Sequence, residues 1–263
     1  MITKNNHTFV ICAYQESPYL EECIKSVCNQ TVTTSVVIVT STENDHIREL
    51  SKKYGIELLI KKGEPGIASD WNFALSVAKT PLVTIAHQDD VYESRYAEEL
   101  LLMECQLDRL LIYFTNYDEI RGNKQVESNT LLNIKRALLS PLSNGRFQGS
   151  RIVRRRILSL GSAICCPSVT VNKNNIPLPL FQKGMGSNLD WQAWERLSRY
   201  TGSFYYNDSI LMHHRIHEGS ETTRLINDKT RGSEDLAMFE LFWPKLIAII
   251  INKAYSLSEK SNR

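Results

Sequence analysis

The sequence predicts an α/β fold: a mostly parallel central sheet flanked by helices, with a C-terminal helical tail. Three observations predict it. Short apolar, β-branched runs (TFVICA, SVVIVT, LVTIA) alternate through the first half with segments whose apolar residues recur at helical spacing. Such continuous runs suit strands buried on both faces, as parallel strands with crossover helices are. The chain has 263 residues and 42% hydrophobic content, enough to bury a sizeable core.

Thr8 to Ala13 forms the first expected strand, and Pro18 opens a helix over YLEECIKSVCNQ, whose Leu20, Cys23, Ile24, Val27 and Cys28 share a face. Ser35 to Thr40 is a second strand, Ile47 to Tyr54 a helix closed by Gly55, and Ile56 to Ile60 a third strand. After a turn at GEPG, a helix from Ser69 to Ala78 leads to a strand, Leu82 to Ala86, that delivers HQDD. A helix from Tyr96 to Leu107 and a strand from Leu111 to Asn116 follow. Residues 121 to 160 are polar, then basic, and show no regular alternation. SAICCPSVTV is a further apolar stretch, LDWQAWERLSRY reads as a helix, and Glu234 to Tyr255 holds an amphipathic helix interrupted by Pro244. In a parallel sheet, ligands bind beyond the carboxyl ends of the strands, so the loops at 13 to 17, 40 to 45 and 87 to 90 should share one rim.

A formal charge of +2 lacks the basic excess of a protein that grips nucleic acid through its surface, so nucleic acid is not an expected partner. The N-terminal MITKNNHTFVICAY shows neither a signal peptide nor a membrane span, which points to the cytoplasm. The six cysteines include no CxxC pair and are expected as reduced thiols.

Adjacent carboxylates repel unless a cation or hydrogen-bond donors stand between them, so Asp89 and Asp90 at a strand end suit a hard divalent cation such as Mg²⁺ or Mn²⁺. The plainer alternative is a solvated turn with either aspartate capping the next helix. Asp190, beside Trp191 and Trp194, is either a helix cap or a carboxylate whose pKa is raised by desolvation toward that of a base. HHRIH brings His213, His214, Arg215 and His217; imidazole can complete a Mn²⁺ shell and guanidinium can hold phosphate.

Taken in order, ICAYQESPYLEECIKSVCNQT, VVIVTST, GIASDWNFALSVAKTPLVTIAHQDD, LDWQAWERL and HHRIHEGSETT resemble the segments of family 2 glycosyltransferases of the GT-A (Rossmann-like) fold, over roughly residues 8 to 224. The resemblance implies an inverting enzyme that moves a sugar from a nucleotide-diphosphate donor to a hydroxyl of a glycan or lipid-linked acceptor. By that resemblance Ala13, Tyr14 and Glu16 hold the nucleotide, Asn72 matches the asparagine of an ARN-type segment, and Asp89 and Asp90 close a DxDD-type motif for metal and diphosphate. Asp190 matches the catalytic base, and His217 a histidine near the metal, Mn²⁺ or Mg²⁺. Ser41, Asp70, His87, Gln88 and Arg215 complete the expected donor site.

Three positions depart from the family pattern: His87 replaces the first motif aspartate, Thr40 and Ser41 an acidic pair, and Leu189 the glutamate before the base. The implied organisation is a nucleotide-sugar-binding half over 1–120, an acceptor-binding and catalytic half over 121–225, and a helical extension over 226–263. The basic run Arg151 to Arg156 and the tail FWPKLIAIII suit peripheral contact with the inner membrane surface. The alternatives are a non-catalytic relative that binds glycan or partner enzymes, and a sugar nucleotidyltransferase. The latter normally carries a glycine-rich loop with a basic residue after its first strand, which AYQESPY lacks.

Overall fold

The structure is a computed structural model that describes residues 6–103, 108–217 and 231–261, with side chains described to Ser256. Its first half alternates as expected: β1 (His7–Ala13), α1 (Leu20–Cys28), β2 (Ser35–Thr40), α2 (Asp45–Tyr54), β3 (Glu57–Ile60), α3 (Ile67–Val77) and β4 (Leu82–His87). Asn44 caps α2 by accepting the Ile47 N–H, and Gly55, at φ 62°, ends it. β1 to β4 are parallel, in the order β3-β2-β1-β4. The helix expected through Leu107 is α4 (Tyr96–Leu101), after the two-residue β5 (Val91–Tyr92); residues 104–107 lie outside the described residues.

The second half is richer than its sequence suggested. The strand expected to end at Asn116 runs on as β6 (Leu110–Arg121) and turns back as β7 (Lys124–Val126). The stretch without regular alternation holds α5 (Thr130–Leu139), α6 (Gly145–Gln148) and α7 (Arg151–Leu158). SAICCPSVTV supplies only a short strand, β8 (Val169–Asn172), which enters the sheet antiparallel between β4 and β6. α8 (Leu189–Ser198) precedes β9 (Ser203–Ile216), parallel to β6. The tail is two helices, α9 (Arg231–Glu240) and α10 (Lys245–Ser261), broken at Pro244, which lacks the N–H that would continue the ladder. The sheet runs unbroken as β3-β2-β1-β4-β8-β6-β9-β5, with β7 paired to β6.

Alternation along β1 divides the core. Phe9 and Ile11 pack with Leu20, Ile24 and Tyr96 on one face, and Val10 packs with Ala74, Trp191 and Phe239 on the other. At about 25 cal/mol per Å² of apolar surface, each fully buried large side chain stabilises the fold by roughly 2 kcal/mol. The basic run expected on the surface is split by this packing. Arg154 is fully buried and donates to the carbonyls of Gly202 (2.7 Å) and Tyr200 (2.8 Å). Arg155 pairs with Glu195 and lies over Phe242, while Arg156 lies over Trp243.

Candidate active site

The three loops meet on one rim at the carboxyl ends of β1, β2 and β4. Tyr14 and Gln88 exchange two hydrogen bonds: the Tyr14 N–H donates to the Gln88 amide oxygen and the Gln88 amide to the Tyr14 carbonyl, both at 2.9 Å. Gln15 adopts φ 55°, a left-handed conformation rare for a residue with a side chain, and its N–H donates to the Thr42 hydroxyl at 2.6 Å. Ala13 is buried at the end of β1, and Glu16 is exposed on the loop beyond it.

The two aspartates have different fates. The Asp89 carboxylate accepts from the Ser17 hydroxyl (2.9 Å) and faces His217 Nε2 (3.1 Å). Asp90 is 1% exposed; its Oδ1 meets His214 Nδ1 and the Arg215 N–H, each at 2.9 Å. Its Oδ2 has no hydrogen-bond partner among the described residues, and neither does His87 Nε2. Burial would push the Asp90 carboxyl up, but the charge and hydrogen bond of His214, with His87 and the Arg215 N–H, outweigh it and hold the pKa below the ordinary value. Burial likewise pulls His214 down, and Asp90 outweighs it and holds His214 up. When His214 is protonated the two form an ion pair in which Asp90 is buried and His214 partly exposed. His87 is lowered by burial, and its ring stacks on Trp71 at 5.1 Å.

Several expected donor contacts are already engaged in building the rim. Asp70 accepts from Ser41 (2.9 Å) and pairs with Lys61 (3.0 Å). Asn72 exchanges two hydrogen bonds with the Phe181 backbone, at 2.7 and 3.0 Å, pinning the 177–181 loop against α3. Arg215 donates to the Asp89 carbonyl (2.9 Å) and to Glu22 (2.6 Å) and lies 4.5 Å over the Tyr19 ring. His213 faces away from this cluster, its ring nitrogens held by Asp118 (2.6 Å) and Glu93 (2.9 Å).

Asp190 sits in the first turn of α8 and accepts the Trp191 N–H at 2.7 Å. Burial raises its pKa, against the opposing pull of that N–H and of the cationic Lys135 and Arg231. The Cys165 and Cys166 thiols feel the charges of both Asp90 and Asp190, so both carboxylates lie within electrostatic reach of that pair. Lys135 is within electrostatic reach of both Asp190 and His214.

Sequence reasoning missed Ser17, Trp71, His214 as the Asp90 partner, and Lys135. Only His214 carried a signal, its place in HHRIH; the others depend on contacts between segments far apart in the chain. For a metal, the donor chemistry fits: Asp89 offers carboxylate oxygen and Asp90 a buried, unpartnered one. Among the described residues no group of three His, Cys, Asp or Glu side chains converges on a single ion position.

A rim that gathers acidic and amide groups beyond the carboxyl ends of parallel strands is where ligands bind in open α/β sheets. Residues 8–167 match the model of glycosyl transferase family 2, and the chain belongs to that family. It is 27% identical over 122 residues to the glycosyltransferase GlyG of Streptococcus pneumoniae serotype 4, a match covering 43% of this chain and 40% of that relative, so the alignment spans well under half the relative's length. In fold it resembles residues 1–349 of TarS from S. aureus in complex with UDP-GlcNAc, at TM-score 0.59 and 15% identity over 96% of this chain and 71% of that one. It also resembles the mannosyltransferase PcManGT of Pyrobaculum calidifontis in complex with GDP-Man and Mn²⁺, at TM-score 0.63 and 13% identity over 96% and 70%. Asp190, Arg215 and His217 lie beyond the residues matched by the family model.

Proposed function

We propose that this chain transfers a sugar from a nucleotide-diphosphate donor to an acceptor hydroxyl with inversion at the anomeric carbon. One observation supports this best: Asp190, its pKa raised by burial at the start of α8, lies within electrostatic reach of the same Cys165–Cys166 pair as the rim residue Asp90. The acceptor hydroxyl gives its proton to Asp190 as its oxygen bonds to the anomeric carbon. The bond from that carbon to the diphosphate breaks, its electron pair leaving with the nucleotide. General base assistance of this kind contributes typically ~10²- to 10⁴-fold. Attack opposite the leaving group inverts the centre.

Residues 1–120 supply the donor half in this reading, with Tyr14, Glu16, Ser41, His87 and Gln88 around the nucleotide. Residues 121–225 supply the acceptor half, and 226–263 are the extension, whose described part, 231–261, packs Phe239, Phe242 and Tyr255 on Trp191 of α8. Asp89, Asp90 and His217 would hold Mn²⁺ or Mg²⁺, which when bound offsets the charge on the departing diphosphate. Cytoplasmic residence, and an acceptor reached at the membrane surface, belong to the same reading. No described helix is long and apolar enough to cross a membrane.

The test is a screen of UDP-, GDP-, CDP- and dTDP-sugars with added Mn²⁺, read by thermal stabilisation and slow donor hydrolysis. One donor class should stabilise the protein, by ~2.7 kcal/mol at a hundredfold excess over Kd. Asp89→Ala should abolish the metal-dependent part. Absence of hydrolysis with every donor would refute a catalytic role.

A further inference from the structure

The start of α8 has no side-chain cap of its own, although Asn188 stands at the cap position. The Asn188 amide donates instead to the Asp235 carboxylate of α9, at 2.6 Å. Asp190, in the first turn, accepts the Trp191 N–H, so its carboxylate is tied to the backbone of that turn. The segment leading into the turn is poor at holding itself. It contains Gly184, at φ 115°, and Gly186, and among the described residues 182–187 make no backbone–backbone hydrogen bond. Such a segment keeps one conformation only where other parts of the fold impose it.

Glu234, in the first turn of α9, imposes it. Its Oε1 accepts the Gly186 N–H at 2.8 Å, and its Oε2 accepts the Ser187 N–H (2.9 Å), the Ser187 hydroxyl (2.7 Å) and the Asn188 N–H (3.1 Å). Three consecutive backbone N–H groups on one carboxylate form a nest, in which aligned backbone dipoles grip an anion. Burial would push the Glu234 carboxyl up, but the Gly186 N–H, with the Ser187 and Asn188 donors, outweighs it and holds the pKa below the ordinary value. On the other side of Asp190 in sequence, Phe239 of the same helix packs its ring on Trp191 at 5.1 Å. Asp190 is thus bracketed by contacts from α9 to the residues before and after it. α9 lies outside residues 8–167, the part matched by the family model.

We infer that Glu234 is a positioning residue for the reaction: by gripping the 186–188 backbone it sets where the Asp190 carboxylate stands, which makes the C-terminal extension part of the catalytic unit. This rests on the reading of Asp190 as the base. It adds a residue that acts only through that base.

Glu234→Ala and Glu234→Gln in the full chain test it. Gln keeps the volume and one acceptor oxygen, so it serves even where Ala impairs folding. The Trp191 amide proton reports the place of the carboxylate directly, because Asp190 accepts it. In both variants its hydrogen exchange, resolved by residue, should quicken by about tenfold or more, while the amides of β1 to β4 exchange as in wild type. Hydrolysis of UDP-glucose, GDP-mannose, CDP-glucose and dTDP-glucose with Mn²⁺ is the second readout. For the donor that is used, kcat should fall by roughly 10²-fold, the scale on which a misplacement of about 1 Å acts, with KM within about twofold of wild type. In an Asp190→Asn background the same substitution should have no further effect on kcat, because the group it acts through is already gone. Glu240→Ala, at the exposed end of α9, should match wild type in both readouts. Faster exchange confined to 186–188, with Trp191 unchanged, overturns the proposal, and so does an equal fall in kcat in the two backgrounds. Quickened Trp191 exchange in a protein that hydrolyses none of the four donors would refute the catalytic reading and leave the hold of Glu234 on Asp190 supported.

Discussion

Replacing Asp190 by Asn separates the two roles that a carboxylate at a helix start can have. Asn keeps the volume and an oxygen for the Trp191 N–H, now accepted at 2.7 Å, so the first turn of α8 should be unaltered. What is lost is the basic oxygen. A loss of ~10²- to 10⁴-fold in kcat is about 2.7–5.4 kcal/mol of transition-state stabilisation at 1.36 kcal/mol per tenfold. Stability should move the other way. Because burial raises the Asp190 pKa in the folded protein, its contribution to stability is fully present below the unfolded-state pKa and is lost as pH rises through the raised, folded-state value. At pH 7 and above the ionised side chain therefore costs stability, and Asp190→Asn should melt at the same temperature as wild type or higher. Toward acid pH that advantage disappears. The assay is transfer or donor hydrolysis beside thermal melts from pH 4 to 8. Near-normal turnover would refute the base. A melting point lowered by several degrees at pH 7 would mean that Lys135 and Arg231 hold Asp190 as a structural ion pair.

His214→Ala should leave the Asp90 charge buried with the Arg215 N–H as its main remaining donor, a loss of about 3–5 kcal/mol, or roughly 10 °C in melting temperature, measured by thermal denaturation. The wild-type pair itself has a pH window. Asp90, held low, loses its contribution as pH falls through its depressed pKa, and His214, held high, loses its own as pH rises through a value above 6.5. Asn72→Ala frees the Phe181 N–H and carbonyl and should cost about 2 kcal/mol in urea denaturation, with added proteolytic sensitivity in the 177–181 loop. Gly202→Ala should cost more than about 2 kcal/mol, because Gly202 sits at φ 140° and an added Cβ would lie 2.6 Å from Leu111 Cγ and 2.7 Å from the Arg109 carbonyl. A melting temperature within 2 °C of wild type would contradict it.

Local chemistry determined much of this protein from the sequence alone. β2 spans the six residues of its apolar run, Gly55 ends α2 because it alone there accepts a left-handed φ cheaply, and HQDD falls at a strand end because the run before it is apolar throughout. The shared rim followed from the same alternation, since parallel strands deliver all their carboxyl ends to one side. Residues 121–160 were opaque for a reason of equal generality. α5 and α7 bury only part of one face, and Arg154 is interior because two carbonyls, of Gly202 and Tyr200, await it from a different segment.

Strand order, too, lay beyond the sequence: β8 joins antiparallel between β4 and β6, and nothing in VTVN distinguishes that place from another. At the site, the residue types were legible and their assignments were not. Tertiary structure decided that His214 rather than His213 meets Asp90, because successive side chains of β9 point to opposite faces and the register with β6 sets which one faces Asp90. It also decided that Lys135 comes within electrostatic reach of Asp190. Charges separated by tens of residues acquire an energy only when the fold brings them within a few ångströms, and that distance is a property of the packed core.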